Sequence, residues 1–230
     1  MRHCALRRSA ALALAIGLVA CQRADARSVL PDPSPHRAHA ALAAAALDTA
    51  VFAGGCFWGI EAVFRHVKGV TSAVSGYAGG RTTNPSYEEV SSGVTGHAEV
   101  VRVIYDPAKV EYGTLLKVFF SIAHDPTELN RQGPDVGTQY RSALFVRNDD
   151  QATEARAYIA LLARSKVFRG SIVTEVAPLR AFYPAEAYHQ NYLALHPTQP
   201  YIVYYDLPKL AALRKEFAPL VREDGIAAER

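Results

Sequence analysis

Cys56 is the residue best placed to do chemistry. It sits in Gly55-Cys56-Phe57-Trp58-Gly59, after an apolar run at 49–54 and before a segment in which Phe57, Ile60, Val63 and Phe64 share one helical stripe. The pattern predicts strand, glycine turn, cysteine, helix. A thiol at a helix N-terminus meets unpaired backbone N–H groups and the positive end of the dipole, which lower its pKa and make it reactive. Phe57 and Trp58 would give such a nucleophile an apolar wall. The competing reading is a small buried hydrophobe. A second candidate is Glu99, in Thr95-Gly96-His97-Ala98-Glu99 at the start of a strand. Alternation puts it on one face with Val101 and Val103, and burial there would raise its pKa and keep it protonated, as a general acid requires. The alternative is a carboxylate paired with a nearby cation.

Two polar loops each deliver a tyrosine. Tyr87 lies in Asn84-Pro85-Ser86-Tyr87-Glu88, which enters a short helical turn, and Tyr140 lies in the stretch 133–142, which enters a strand. A phenol donates a hydrogen bond to a polar oxygen while its ring excludes water, although most tyrosines are structural. His66, His97, His124 and His189 show no paired metal-ligand spacing, and the chain offers one thiol after its N-terminal segment, so a zinc site is not expected.

Gly-Cys-Phe-Trp-Gly at 55–59, Gly-His-Ala-Glu at 96–99, the Tyr87 and Tyr140 loops and the stretch 182–190 together resemble the A-type peptide methionine sulfoxide reductases, in order and spacing, from about residue 49 to residue 210. The resemblance implies that Cys56 is the nucleophile, that Glu99 donates a proton, and that Tyr87 and Tyr140 bind the sulfoxide oxygen. It also implies that Asp135 helps organise the pocket and that His189, in the stretch 182–190, stands behind the site; the apolar rings of Phe57 and Trp58 would hold the S-methyl group of such a substrate. The expected reaction reduces methionine S-sulfoxide, in proteins or free, to methionine, leaving a sulfenic acid on Cys56. No bound cofactor is expected, only an external thiol reductant such as a thioredoxin-like donor or a small dithiol. Many members carry further cysteines near the C-terminus that close a disulfide with the nucleophile, and here no cysteine follows Cys56. Two rival readings remain: a cysteine hydrolase or acyltransferase with His97 or His189 as base, and a non-catalytic envelope binding module.

The elements that must position these groups follow from the same patterning. Strands are expected at 49–54, 70–78, 97–105, 142–147 and 171–177, with helices at 57–67, 111–123 and 149–166. This is an α+β order, read as a two-layer sandwich with a split βαβ (ferredoxin-like) core, a mixed sheet, helices mainly on one face and long loops. Residues 1–20 read as an export signal: Arg2, Arg7 and Arg8 precede an apolar run too short to span a bilayer. Leu18-Val19-Ala20-Cys21 matches a lipobox that would lipidate Cys21, while Ala24-Asp25-Ala26 offers ordinary cleavage after residue 26. Either way the expected location is the bacterial periplasm or cell envelope. Residues 21–47, with three prolines and an alanine run, read as a linker, 48–210 as the reductase domain and 211–230 as a polar tail. Loss of the signal's three arginines leaves the basic residues level with the 22 acidic ones, so the basic pI does not argue for nucleic acid.

Overall fold

The computed structural model describes residues 30–33 and 46–225; the export signal and Cys21 lie outside the described residues. The chain lays down β1 (Asp48–Gly54), α1 (Phe57–Arg65), β2 (Val70–Ala78), α2 (Tyr87–Ser91), β3 (Ala98–Tyr105) and α3 (Tyr112–Val118), the last widening into a π turn at Phe119–Ala123. A small hairpin, β4 (Arg131–Gln132) with β5 (Asp135–Val136), and a 3-10 turn at Thr138–Tyr140 lead into β6 (Ser142–Val146) and the long α4 (Asp149–Ser165). β7 (Glu175–Pro178), β8 (Phe182–Pro184), α5 (Tyr192–Leu195), a π turn at Ile202–Asp206 and α6 (Leu207–Glu216) complete the order.

Six strands form one sheet in the order β7-β6-β1-β3-β2-β8. Four neighbouring pairs are antiparallel and β6-β7 is parallel, so the sheet is mixed and the class is α+β. Alternation divides each strand between two cores. Ala50 and Phe52 of β1 with Val101 and Val103 of β3 face the helices, where Phe52 stacks on Phe64 at 4.6 Å between ring centroids. Val51, Ala53 and Val100 turn to a smaller cluster on the other side. The apolar stripe of α1 is wholly buried on the helical side.

Three expectations need correction. The strand foreseen at 171–177 begins only at Glu175, because the Val173 N–H bonds to the Pro126 carbonyl of another loop instead of to the sheet. The segment read as a polar tail contributes packed structure: α6 lies against α1 with Leu210 and Leu213 buried, and Val221 bridges to Val67. Within the stretch read as a linker, Leu30 is buried, the Pro31 carbonyl accepts from the Tyr158 hydroxyl at 3.0 Å, and Asp32 pairs with Lys117 at 2.6 Å.

Candidate active site

β1 runs directly into the turn that carries the thiol. Gly55 takes φ +95°, which favours glycine, and a Cβ there would stand 2.5 Å from the side chain of Gln132. Cys56 then caps α1 and is buried at 8 % exposure. The expectation of a lowered thiol pKa is reversed in the ligand-free site. Burial above all, then the charges of Glu99 and Asp206, push it well above its usual value, and neither the hydrogen bond from the Trp58 N–H nor the Lys209 cation offsets them. The helix N-terminus is present, but the low dielectric outweighs it.

Glu99, 2 % exposed, faces the same turn from β3, and its Oε2 accepts the Phe57 N–H at 3.1 Å, one of the donors the helix leaves unpaired. Burial raises its pKa to about 8, with Asp135 and Asp206 adding to the rise and the Phe57 bond opposing it. Glu99 is therefore a carboxylic acid at neutral pH. Tyr87 begins α2, whose N-terminus is fixed by a Ser86–Glu89 capping box. Glu186 holds it as well, accepting the Tyr87 N–H at 2.8 Å and the Tyr77 hydroxyl at 2.9 Å. Tyr140 ends the 3-10 turn, and its neighbour Gln139 donates to the Ser91 carbonyl at 2.8 Å, tying the two tyrosine loops together. Burial lifts Tyr87 to about 12 and raises Tyr140 also, so both phenols keep their protons and act as donors.

Cys56, Phe57, Trp58, Tyr87, Glu99, Asp135 and Tyr140 all line one cavity of about 260 Å³. Two further residues line it that sequence reasoning did not single out, Gln199 and Tyr201, the latter donating its hydroxyl to Asp135. A third, Asp206, lies fully buried behind the site, paired with Lys209 at 3.2 Å and leaving its Oδ2 without a partner. Its carboxylate occupies the space that a Cβ on Gly59 would need. His189 does not reach the cavity; its Nδ1 accepts the Trp58 indole N–H at 3.2 Å, and Trp58 also stacks on Tyr192 at 3.9 Å. His97 is engaged at both ring nitrogens, accepting the Gly80 N–H at 3.1 Å and facing the Thr82 carbonyl at 2.7 Å. Neither histidine is placed as a base for Cys56, which removes the geometric support for a hydrolase. Among the described residues no group of three or more potential ligands is placed to hold a metal ion.

The arrangement joins a buried thiol, a neutral carboxylic acid and protonated phenols beside two aromatic walls. It suits a substrate that offers an acceptor oxygen on an electrophilic atom together with a small apolar group.

Comparison with known proteins points the same way. Residues 48–220 match the family model for peptide methionine sulfoxide reductase. A peptide methionine sulfoxide reductase of Mesorhizobium japonicum is 56% identical over 184 residues, covering 80% of this chain and 94% of that protein. One from Synechocystis is 48% identical over 190 residues, covering 83% and 89%. Among solved structures, methionine sulfoxide reductase A of Corynebacterium diphtheriae superposes with a TM-score of 0.59 at 39% identity, over 74% of this chain and 85% of that one. Reduced Mxr1 of Saccharomyces cerevisiae gives 0.61 at 36% identity, over 66% and 87%.

Proposed function

The chain belongs to the peptide methionine sulfoxide reductase family and reduces methionine sulfoxide to methionine, and we propose that Cys56 is its nucleophile and Glu99 its acid. The observation that carries these roles is the meeting of Cys56, Glu99, Tyr87 and Tyr140 around one small cavity walled by Phe57 and Trp58. The substrate methyl packs on the two rings while the phenols donate to the sulfoxide oxygen. Glu99 protonates that oxygen as the Cys56 sulfur attacks the substrate sulfur. The S–O bond breaks, hydroxide passes to the cysteine sulfur, and methionine leaves; the sulfenic acid carries the oxygen, and the thiol proton returns to Glu99 in the net balance. A raised thiol pKa is compatible with this order, because the thiol proton passes to Glu99 as Glu99 gives its own to the sulfoxide oxygen, so a free thiolate never persists beside a charged carboxylate.

The epimer is the S form, as the family resemblance implies, and the reductant is a thioredoxin-like protein or small dithiol. Asp135, held by Tyr201, organises the pocket, and His189 orients Trp58. The basic and apolar character of residues 1–20 supports export to the cell envelope, with Cys21 as a candidate lipid anchor. The central strand order β6-β1-β3-β2, antiparallel throughout, supports a split βαβ core. The test is to incubate the protein with each separated epimer of methionine sulfoxide and a small dithiol and to quantify methionine. Conversion of the S epimer alone is expected; equal conversion of both, or of the R epimer alone, would refute the epimer assignment.

A further inference from the structure

The cavity of about 260 Å³ has room for one side chain, less than the roughly 300–1,000 Å³ of pockets that enclose whole small molecules. When the sulfoxide belongs to a polypeptide, the residues on either side must lie outside the mouth. The segments around it are rich in exposed apolar side chains: Tyr188 is 55 % exposed, Leu195 63 %, Tyr204 74 % and Tyr205 43 %. Three of the four are tied to the site by contact, and Tyr204 is the chain neighbour of Tyr205 in the turn 202–206. Tyr188 packs beside His189, whose ring lies 4.5 Å from that of Tyr87. Leu195 ends the short helix whose first residue, Tyr192, stacks on Trp58, and the ring of Tyr205 lies 4.9 Å from that of the cavity-lining Tyr201. The charge at the Tyr188 side is negative, from exposed Glu88 and from Glu186, both close enough to act on the Tyr188 hydroxyl.

We propose that this rim is a docking surface for the polypeptide flanking a methionine sulfoxide, and that it takes apolar and basic neighbours in preference to acidic ones. The inference rests on the cavity being the sulfoxide site. Exposed apolar side chains gathered at a site mouth cost solvation until something covers them, which is the mark of an interaction surface. Tyrosine suits such a surface, because it offers a large rigid face with little rotamer entropy to lose. An acidic flank would meet Glu88 and Glu186 as like charges, whereas a lysine or arginine would be attracted.

The experiment uses the full chain with dithiothreitol, so that docking of a protein reductant plays no part. Substrates are N-acetyl methionine sulfoxide amide and heptapeptides with a central methionine sulfoxide flanked by leucine and lysine or by aspartate. The wild type should favour the leucine–lysine peptide in kcat/KM by about tenfold or more, and Leu195→Ser with Tyr204→Ser should each remove about twofold to tenfold of that, the scale of one such contact. Both variants should leave turnover of the amide unchanged. Glu88→Lys should shift the preference toward the aspartate peptide. Equal kcat/KM for the two peptides, or variants that slow the amide as much as the peptides, would overturn the proposal. Self-association that Tyr204→Ser abolishes would overturn it too, assigning the surface to a second copy. Turnover of neither amide nor peptide by the wild type would instead sink the reductase reading on which the proposal stands.

Discussion

At Cys56 two opposing effects meet within one turn of backbone. The helix N-terminus favours a thiolate, but burial and two carboxyl groups disfavour it more, so the resting thiol is protonated. Cys56→Ser, nearly isosteric, is expected to abolish reduction with little change in melting temperature; measurable turnover by a folded serine variant would eliminate Cys56 as nucleophile. Asp206→Asn removes a charge that opposes the thiolate and leaves Lys209 unneutralised beside it. Alkylation of Cys56 at neutral pH should then accelerate, by about tenfold for each unit by which the thiol pKa falls; a slower reaction would show that Asp206 acts by packing and not by charge. Glu99→Gln keeps the shape and the acceptor for the Phe57 N–H but has no proton to give, and should cost about 10²–10⁴ in rate. It should also change the pH dependence of stability. The carboxyl pKa rises from 4.5 to about 8 on folding, so the folded state keeps a proton that the unfolded chain has released. The wild type therefore loses stability as pH climbs from about 4.5 through about 8, and the glutamine variant lacks that slope. Parallel melting curves for the two proteins across this window would contradict the raised pKa.

The same contrast between local and distant information holds for the elements. The β1–α1 turn was legible because an apolar strand, two glycines and a helical stripe are written into consecutive residues, and Glu99 was legible because alternation assigns it a face. Tyr201 and Asp206 were not. They come from a C-terminal segment whose π turn and helix are held by contact with α1, and its local pattern gives only two well-buried leucines, Leu210 and Leu213. The direction of the thiol pKa is not legible locally for the same reason, since the dipole is a local property whereas the burial of Cys56 and the approach of Glu99 and Asp206 arise only in three dimensions. Gly59 is where the two elements meet, because Asp206 fills the space a side chain would take. Gly59→Ala should force α1 and α6 apart and cost about 1–3 kcal/mol in chemical denaturation, as overpacked sites do. Paired with Asp206→Ala the same change should cost much less. An equal cost in both backgrounds would place the strain elsewhere than this contact.

At the scale of the whole molecule, the sequence holds three cysteines, and none follows Cys56. Cys56 is the free cysteine among the described residues, and it is buried in the cavity that Phe57 and Trp58 also line. In the proposed cycle it carries the oxygen after one turnover as a sulfenic acid, which ordinarily condenses with a nearby thiol. In the export and processing proposed above, Cys4 leaves with the signal and Cys21 is lipidated or cleaved away; the chain then has no second thiol to offer, and the electrons come from outside. An incoming thiol attacks the sulfenic sulfur, the S–O bond breaks, the hydroxyl takes the thiol proton and leaves as water, and a mixed disulfide forms; a second thiol on the same donor then releases Cys56 reduced and the donor oxidised. Because the sulfenic acid lies in a cavity of about 260 Å³, the donor, a small dithiol or a thioredoxin-like protein, must present its thiol at the cavity mouth. In single turnover without reductant, about one methionine per enzyme is therefore expected, with Cys56 captured by a sulfenic-acid reagent and no thiol-sensitive loop in peptide maps. A Cys21–Cys56 disulfide in correctly processed protein would supply the missing internal partner, and would refute both the anchoring of Cys21 and the single-thiol cycle.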